Sequence, residues 1–149
     1  MKFFDLKKRD YTIIIGCGRL GANLANTLSN EGMDVLIMDE SKDSFHRLDS
    51  NYGGLAVVGN GMEFSKLKEA QIDRASAVIA VTNDDNKNIM VAEIAREVFH
   101  VNKVIVRLND PECETVYQEL GIETICPSVL SIKEIDKILD SFPKTEAYS

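Results

Sequence analysis

The chain of 149 residues carries 17 basic and 24 acidic side chains, is 44% apolar and 28% charged, and has only 3 prolines and 9 glycines. That balance excludes a collagen-like, disordered or disulfide-stapled chain and predicts one compact domain with a sizeable core. A net charge of −7 repels a nucleic-acid backbone or an anionic membrane surface, and no apolar run approaches the roughly 20 residues that cross a bilayer.

Residues 1–10 read as an N-terminal extension, too polar for a signal peptide, which predicts a cytoplasmic chain. Thr12–Ile15 is the first β-branched run, and Gly16-Cys17-Gly18-Arg19-Leu20-Gly21 follows it directly. A GxGxxG between a strand and a helix has a physical logic at each glycine. Gly16 permits the tight turn, Gly18 lets a pyrophosphate approach the backbone, and Gly21 lets the helix pack closely on the strand. The first amides of that helix then face the phosphates. Leu20, Leu24 and Leu28 recur every fourth residue, and Gly32 stands where a left-handed C-cap is wanted.

The second run, Asp34–Met38, ends on Asp39 and Glu40, and Asp39 lies 23 positions after Gly16. That spacing suits a carboxylate that accepts hydrogen bonds from ribose hydroxyls and repels a 2′-phosphate. The predicted ligand is therefore an adenine nucleotide, NAD(H) or ATP/ADP, and not NADP. Ser41 can cap a second helix through Leu48. Leu55–Val58 is the third strand, followed by Gly59-Asn60-Gly61, where Asn60 could read the adenine edge or simply serve a tight turn. Asn60 or Gly61 opens a third helix to Ala70.

Ala77–Val81 is the fourth strand; Thr82 or Asn83 caps a helix running to Phe99, and Thr82, Asn83 and Asp84 stand where a phosphate-facing loop belongs. That helix is more apolar than one sheet face requires. After the fifth strand, Val104–Arg107, Asp110 precedes Pro111 as N-cap and first helical residue, with Glu112 and Glu114 at the positive end of the dipole. Thr124–Cys126 is the sixth strand. A last helix begins near Ser128 or Ser131, where Ser131 and Glu134 have capping-box spacing, and carries Ile132, Ile135, Ile138, Leu139 and Phe142 on one stripe. Residues 143–149 read as a flexible tail.

Strands alternating with helical patterns predict an α/β fold: a Rossmann-like, doubly wound, six-stranded parallel sheet with helices on both faces, a single domain over residues 11–142. Each strand is nearly all apolar, as strands buried on both faces should be. Cys17, Cys113 and Cys126 show no CxxC spacing, and His46 and His100 lack a second ligand at helical spacing. Reduced thiols and no metal site are expected. Neither histidine falls at the carboxyl end of a strand, where a proton-transfer group would stand, so a nicotinamide-dependent dehydrogenase or its cofactor-binding fragment is the rival reading. A ligand-free interaction module that kept only the fold is the third.

The glycine turn, Asp39, Val57-Val58-Gly59-Asn60-Gly61, the run Val81-Thr82-Asn83-Asp84-Asp85-Asn86-Lys87-Asn88, and Val106-Arg107-Leu108-Asn109-Asp110-Pro111 occur in this order. With Leu120-Gly121-Ile122 and Pro127 behind them, the chain resembles the TrkA-N family, the nucleotide-binding lobes of RCK (KTN) domains, from about Tyr11 to Asp140. The resemblance implies a non-enzymatic, cytosolic regulatory subunit of a Trk or Ktr potassium uptake system. It would bind ATP/ADP or NAD(H) and gate an integral membrane potassium-translocating subunit, held at the inner face of the membrane through that partner. The resemblance also implies that Arg19 meets terminal phosphates and that the last helix crosses to a neighbouring copy in a homodimer or ring. A C-terminal RCK lobe, usual in the family, would be a separate polypeptide, a truncated part or dispensable. Many relatives have aspartate where Asn60 stands.

Overall fold

The computed structural model describes residues 10–113 and 117–142. Six parallel strands, β1 (Tyr11–Ile15), β2 (Asp34–Asp39), β3 (Leu55–Val58), β4 (Ala77–Ala80), β5 (Lys103–Arg107) and β6 (Glu123–Ile125), form one sheet. Their order is β3-β2-β1-β4-β5-β6. The chain leaves β1 toward β2 on one side and later resumes at β4 on the other, so a topological switch point lies between the carboxyl ends of β1 and β4. Ile15 stands in register with Met38 on one side and Ala80 on the other, which brings the loops after three strands together.

Alternation along the strands splits the core in two. Ile14, Ile37 and Ile79 face α1 (Arg19–Asn30) through Ala22 and Ala25. Ile13, Ile15, Leu36, Met38, Val78 and Val104 face α2 (Phe64–Glu69) and α3 (Asp85–Glu93) through Leu67, Val91 and Ala92. Helices thus cover both faces, as the sequence predicts. α3 continues into a π-helical turn, Ile94–Val98, which reaches the predicted end near Phe99. The last helix is α4 (Pro127–Asp140).

Several local expectations change. The buried face of α1 is Gly21, Ala22, Ala25 and Asn26, while Leu20 is 42% exposed. Close approach to the sheet favours the small residues, and Leu24 and Leu28 pack at the rim. Gly32 does terminate α1: it is left-handed at φ +81, and Met33 N–H donates to the Leu28 carbonyl while its own N–H donates to Ser29. Lys42–Arg47 is a short 3-10 helix, and the Ser41 side chain makes no cap. α2 starts at Phe64 rather than Asn60 or Gly61.

α3 is capped by Asp84, whose carboxylate accepts from the Asn86 and Lys87 amides, and not by Thr82 or Asn83. Pro111–Cys113 is a single 3-10 turn opened by Asp110, whose Oδ1 accepts from Glu112 N–H at 3.0 Å. α4 begins at Pro127, which places Ser131 inside the helix and leaves no capping box with Glu134. The edge strands are open, with Leu55 63% and Ile125 39% exposed, since α1, α2 and α3 cover only the middle of the sheet. The expected N-terminal extension up to residue 9, Glu114 and the tail 143–149 lie outside the described residues.

Candidate nucleotide-binding cleft

The site lies at the switch point. Gly16 is left-handed at φ +111, and a Cβ there would stand 2.8 Å from the Thr82 amide nitrogen, so only glycine fits between the β1 and β4 loops. A Cβ on Gly21 would fall 1.8 Å from the Gly16 carbonyl oxygen, which is the helix-on-strand contact that the motif predicts. Gly18 differs from both: a Cβ there would meet nothing within 4 Å. It precedes α1 without any side-chain cap, so the first amides of a 12-residue helix carry their partial positive charge without a capping side chain.

Asp39 ties the neighbouring loops together. Its Oδ2 accepts from Cys17 N–H at 2.8 Å and its Oδ1 from Ser41 N–H at 2.8 Å. Each oxygen retains a lone pair for a further donor. Beside it a cleft of about 140 Å³ is lined by Ile15, Gly16, Met38, Asp39, Glu40, Gly59, Gly61, Thr82 and Lys87. Lys87 Nζ reaches Glu40 Oε2 at 2.6 Å across the cleft, joining α3 to the end of β2. A second cleft of about 240 Å³ shares Gly16, Asp39 and Thr82 and adds Cys17, Gly18, Ser44, Arg47, Val81 and Asn83.

Cys17 contributes backbone to the turn, and its thiol is buried, donating to the Ser44 carbonyl at 3.4 Å. Burial first, and the Asp39 carboxylate second, push its pKa up, so the thiol stays protonated. Among the described residues, Cys17 and Cys126 carry no disulfide. No group of three or more metal-ligating side chains occurs among the described residues, and no helix of those residues is long and apolar enough to cross a membrane.

Of the candidate residues, the structure gathers Gly16, Cys17, Gly18, Asp39, Glu40, Gly59, Gly61, Thr82 and Asn83 around the two clefts. Arg19, Leu20, Gly21, Asn60 and Asp84 line neither. Gly21 is buried against β1, Asp84 is spent as a cap, and Asn60 Oδ1 accepts from Met62 N–H at 2.9 Å in a tight turn. Gly61 is required for contact with Ile15, whose Cγ2 lies 2.6 Å from the position of an added Cβ. The Thr82 hydroxyl is held by Asn88 Oδ1 at 2.6 Å. Sequence reasoning missed Lys87 and Arg47 as lining residues. Lys87 had a signal, its place in the first turn after the fourth strand, whereas Arg47 had none.

Comparison with known proteins matches residues 12–127 to the model of the TrkA-N domain family. The chain is 44% identical over 115 residues to the Trk system potassium uptake protein TrkA of Streptomyces coelicolor, covering 77% of this chain and 52% of that protein. The chain thus spans about half the length of the curated relatives it matches. Among solved structures, the NAD(P)-binding domain of an exopolyphosphatase-related protein from Archaeoglobus fulgidus is similar at TM-score 0.72 and 27% identity, over 89% of this chain and 99% of that one. The GsuK channel bound to NAD is similar in fold at TM-score 0.66 and 16% identity, over 80% of this chain and 22% of that one.

Proposed function

The chain belongs to the TrkA-N domain family, and from that premise we propose that it is the nucleotide-sensing lobe of a Trk- or Ktr-type potassium uptake regulator. The observation that carries the reading is Gly18 facing open space at the uncapped start of α1, beside the Asp39 carboxylate at the switch point. The glycine turn receives the phosphates and Asp39 receives the ribose hydroxyls. Gly59 and Gly61 bound the cleft on the base side, and Thr82 and Asn83 bound it on the phosphate side. The ligand is NAD(H) or ATP/ADP, with NADP disfavoured by charge repulsion between Asp39 and a 2′-phosphate. No step of the proposed function requires a metal.

The role is regulatory rather than catalytic. Both carboxylates in the cleft are committed, Asp39 to two backbone amides and Glu40 to Lys87, which suits a binding surface better than a proton-transfer site. Two nucleotides that occupy one cleft with different contacts shift an assembly between two arrangements by the difference in their binding energies. Arg19, exposed at the first position of α1, lies outside both clefts, so it would meet only the terminal phosphates of a ligand that extends past them. The assembly is cytoplasmic and acts on an integral membrane potassium-translocating subunit at the inner face of the membrane.

The switch needs a lever, and α4 supplies it. None of its residues is buried: Leu130, Ile132, Ile135, Ile138 and Leu139 are all more than half exposed. A second copy of the chain covers that stripe in a homodimer, the unit of a ring-like oligomer, and a separate C-terminal RCK lobe is a further partner of it. Replacing Ile135 and Leu139 together by glutamate is expected to turn the oligomer into a monomer in sedimentation velocity while nucleotide affinity stays within about twofold. An unchanged sedimentation coefficient would show that α4 is not the contact.

Titration calorimetry tests the ligand. ATP, ADP or NADH is expected to bind in the micromolar range and NADPH poorly. Asp39→Asn keeps one acceptor oxygen, so it is expected to hold the Ser41 or the Cys17 amide but to weaken every ribose ligand by roughly 10- to 100-fold, a lost charge-assisted hydrogen bond of about 1.5–3 kcal/mol. Unchanged NADH and ADP affinities in that variant would remove Asp39 from the site.

A further inference from the structure

We infer that Arg47, on the 3-10 turn after β2, is the cation that binds the diphosphate group of the nucleotide. The inference rests on the nucleotide reading and deepens it. Arg47 lines the same cleft as Gly16, Cys17 and Gly18. Its Nη1 donates to the Cys17 carbonyl at 3.4 Å, at the long limit of a hydrogen bond. No salt bridge engages it among the described residues, and the rest of its donors carry no bond there.

Charge selects Arg47 over its neighbours. The chain carries −7 overall, and Asp39 lines both clefts while Glu40 lines the first, so an anionic ligand needs a local cation. Lys87 is already neutralised by Glu40 at 2.6 Å. Arg19 lines neither cleft, and an arginine at the first position of a helix is opposed by the helix dipole. Arg47 comes from the turn after β2 rather than from α1, and its planar fork suits two phosphate oxygens at once. The open turn at Gly18 and the Arg47 guanidinium then line one cleft, which offers helix amides and a cation to the same ligand. A diphosphate, as in ADP or in NAD(H), uses both; adenosine uses neither.

The test is titration calorimetry of the wild-type chain, Arg47→Met and Arg47→Lys against ADP, NADH, adenosine and inorganic pyrophosphate, with thermal melts as a control for folding. Arg47→Met is expected to weaken ADP, NADH and pyrophosphate about tenfold or more, change adenosine less than about twofold, and leave the melting temperature unchanged; Arg47→Lys recovers part of the loss. The ADP and NADH arms tell which nucleotide carries the diphosphate. Wild-type affinity for ADP or NADH that survives in Arg47→Met, or an equal loss for adenosine, overturns the Arg47 role and leaves the nucleotide reading standing. Arg47-dependent pyrophosphate binding without any nucleotide binding does the reverse, and binding of none of the four overturns both.

Discussion

Gly21→Ala is expected to cost about 4 kcal/mol or more of stability, because its methyl would lie 1.8 Å from the Gly16 carbonyl oxygen and only backbone movement can relieve it. Gly18→Val is expected to do the opposite. Gly18 has extended backbone at φ −81, which valine adopts freely, and its Cβ would meet open space. The variant should melt with the wild type and lose nucleotide affinity by about a hundredfold or more, some 2.7 kcal/mol, because the side chain fills the place of a phosphate. Thermal melts and calorimetry on the pair separate a glycine needed for packing from a glycine needed for a ligand. Equal melting temperatures for the two variants would mean that α1 does not sit on β1 as described.

Asn88→Ala is expected to be the most destabilising change outside the glycine turn, at about 3 kcal/mol. Asn88 is fully buried, and its side chain uses both ends. Oδ1 accepts from the Thr82 amide at 2.8 Å and the Thr82 hydroxyl at 2.6 Å, while Nδ2 donates to the carbonyls of Thr82 at 3.0 Å and Arg107 at 2.9 Å. It therefore knots α3 to the ends of β4 and β5. Truncation leaves these groups without partners inside the protein. Asn88→Asp supplies a check with a sign. A carboxylate facing two carbonyl oxygens is favoured when protonated, so its folded-state pKa is raised. The protonated form then supplies stability at low pH that is lost as the pH rises. Urea melts at pH 4 and pH 7 should show the variant closing the gap to wild type at the lower pH; a gap that widens on acidification would refute the hydrogen-bond assignment.

The strands were legible because each is a short apolar run bounded by turn residues, and that pattern does not depend on what lies far away. Helix ends were less so. The turn after β2 is held by Asp39, which accepts from Ser41 N–H and also from Cys17 N–H, so its shape depends on where β1 ends. A four-residue leucine repeat marked α1 correctly, but the face it buries follows from Gly21, whose contact with Gly16 draws the helix in until small side chains, Ala22 and Ala25, meet the sheet. In the candidate site, Gly16, Gly18, Gly21 and Asp39 are legible because a GxGxxG after a strand and a carboxylate at the end of the next strand are patterns of local sequence. Arg47 and Lys87 did not, since what matters about them is which distant loop they reach: Cys17 across 30 residues and Glu40 across 47.

The two bonds that Asp39 accepts, from Cys17 and from Ser41, hold the walls of the cleft together without the help of a ligand. A nucleotide arriving there meets loops whose conformational entropy has already been surrendered, so association should approach a rigid-body event with little ordering of the chain. Discrimination among nucleotides then rests on the contacts each one makes. The proposed sensor would then report which ligand is present without first having to fold around it.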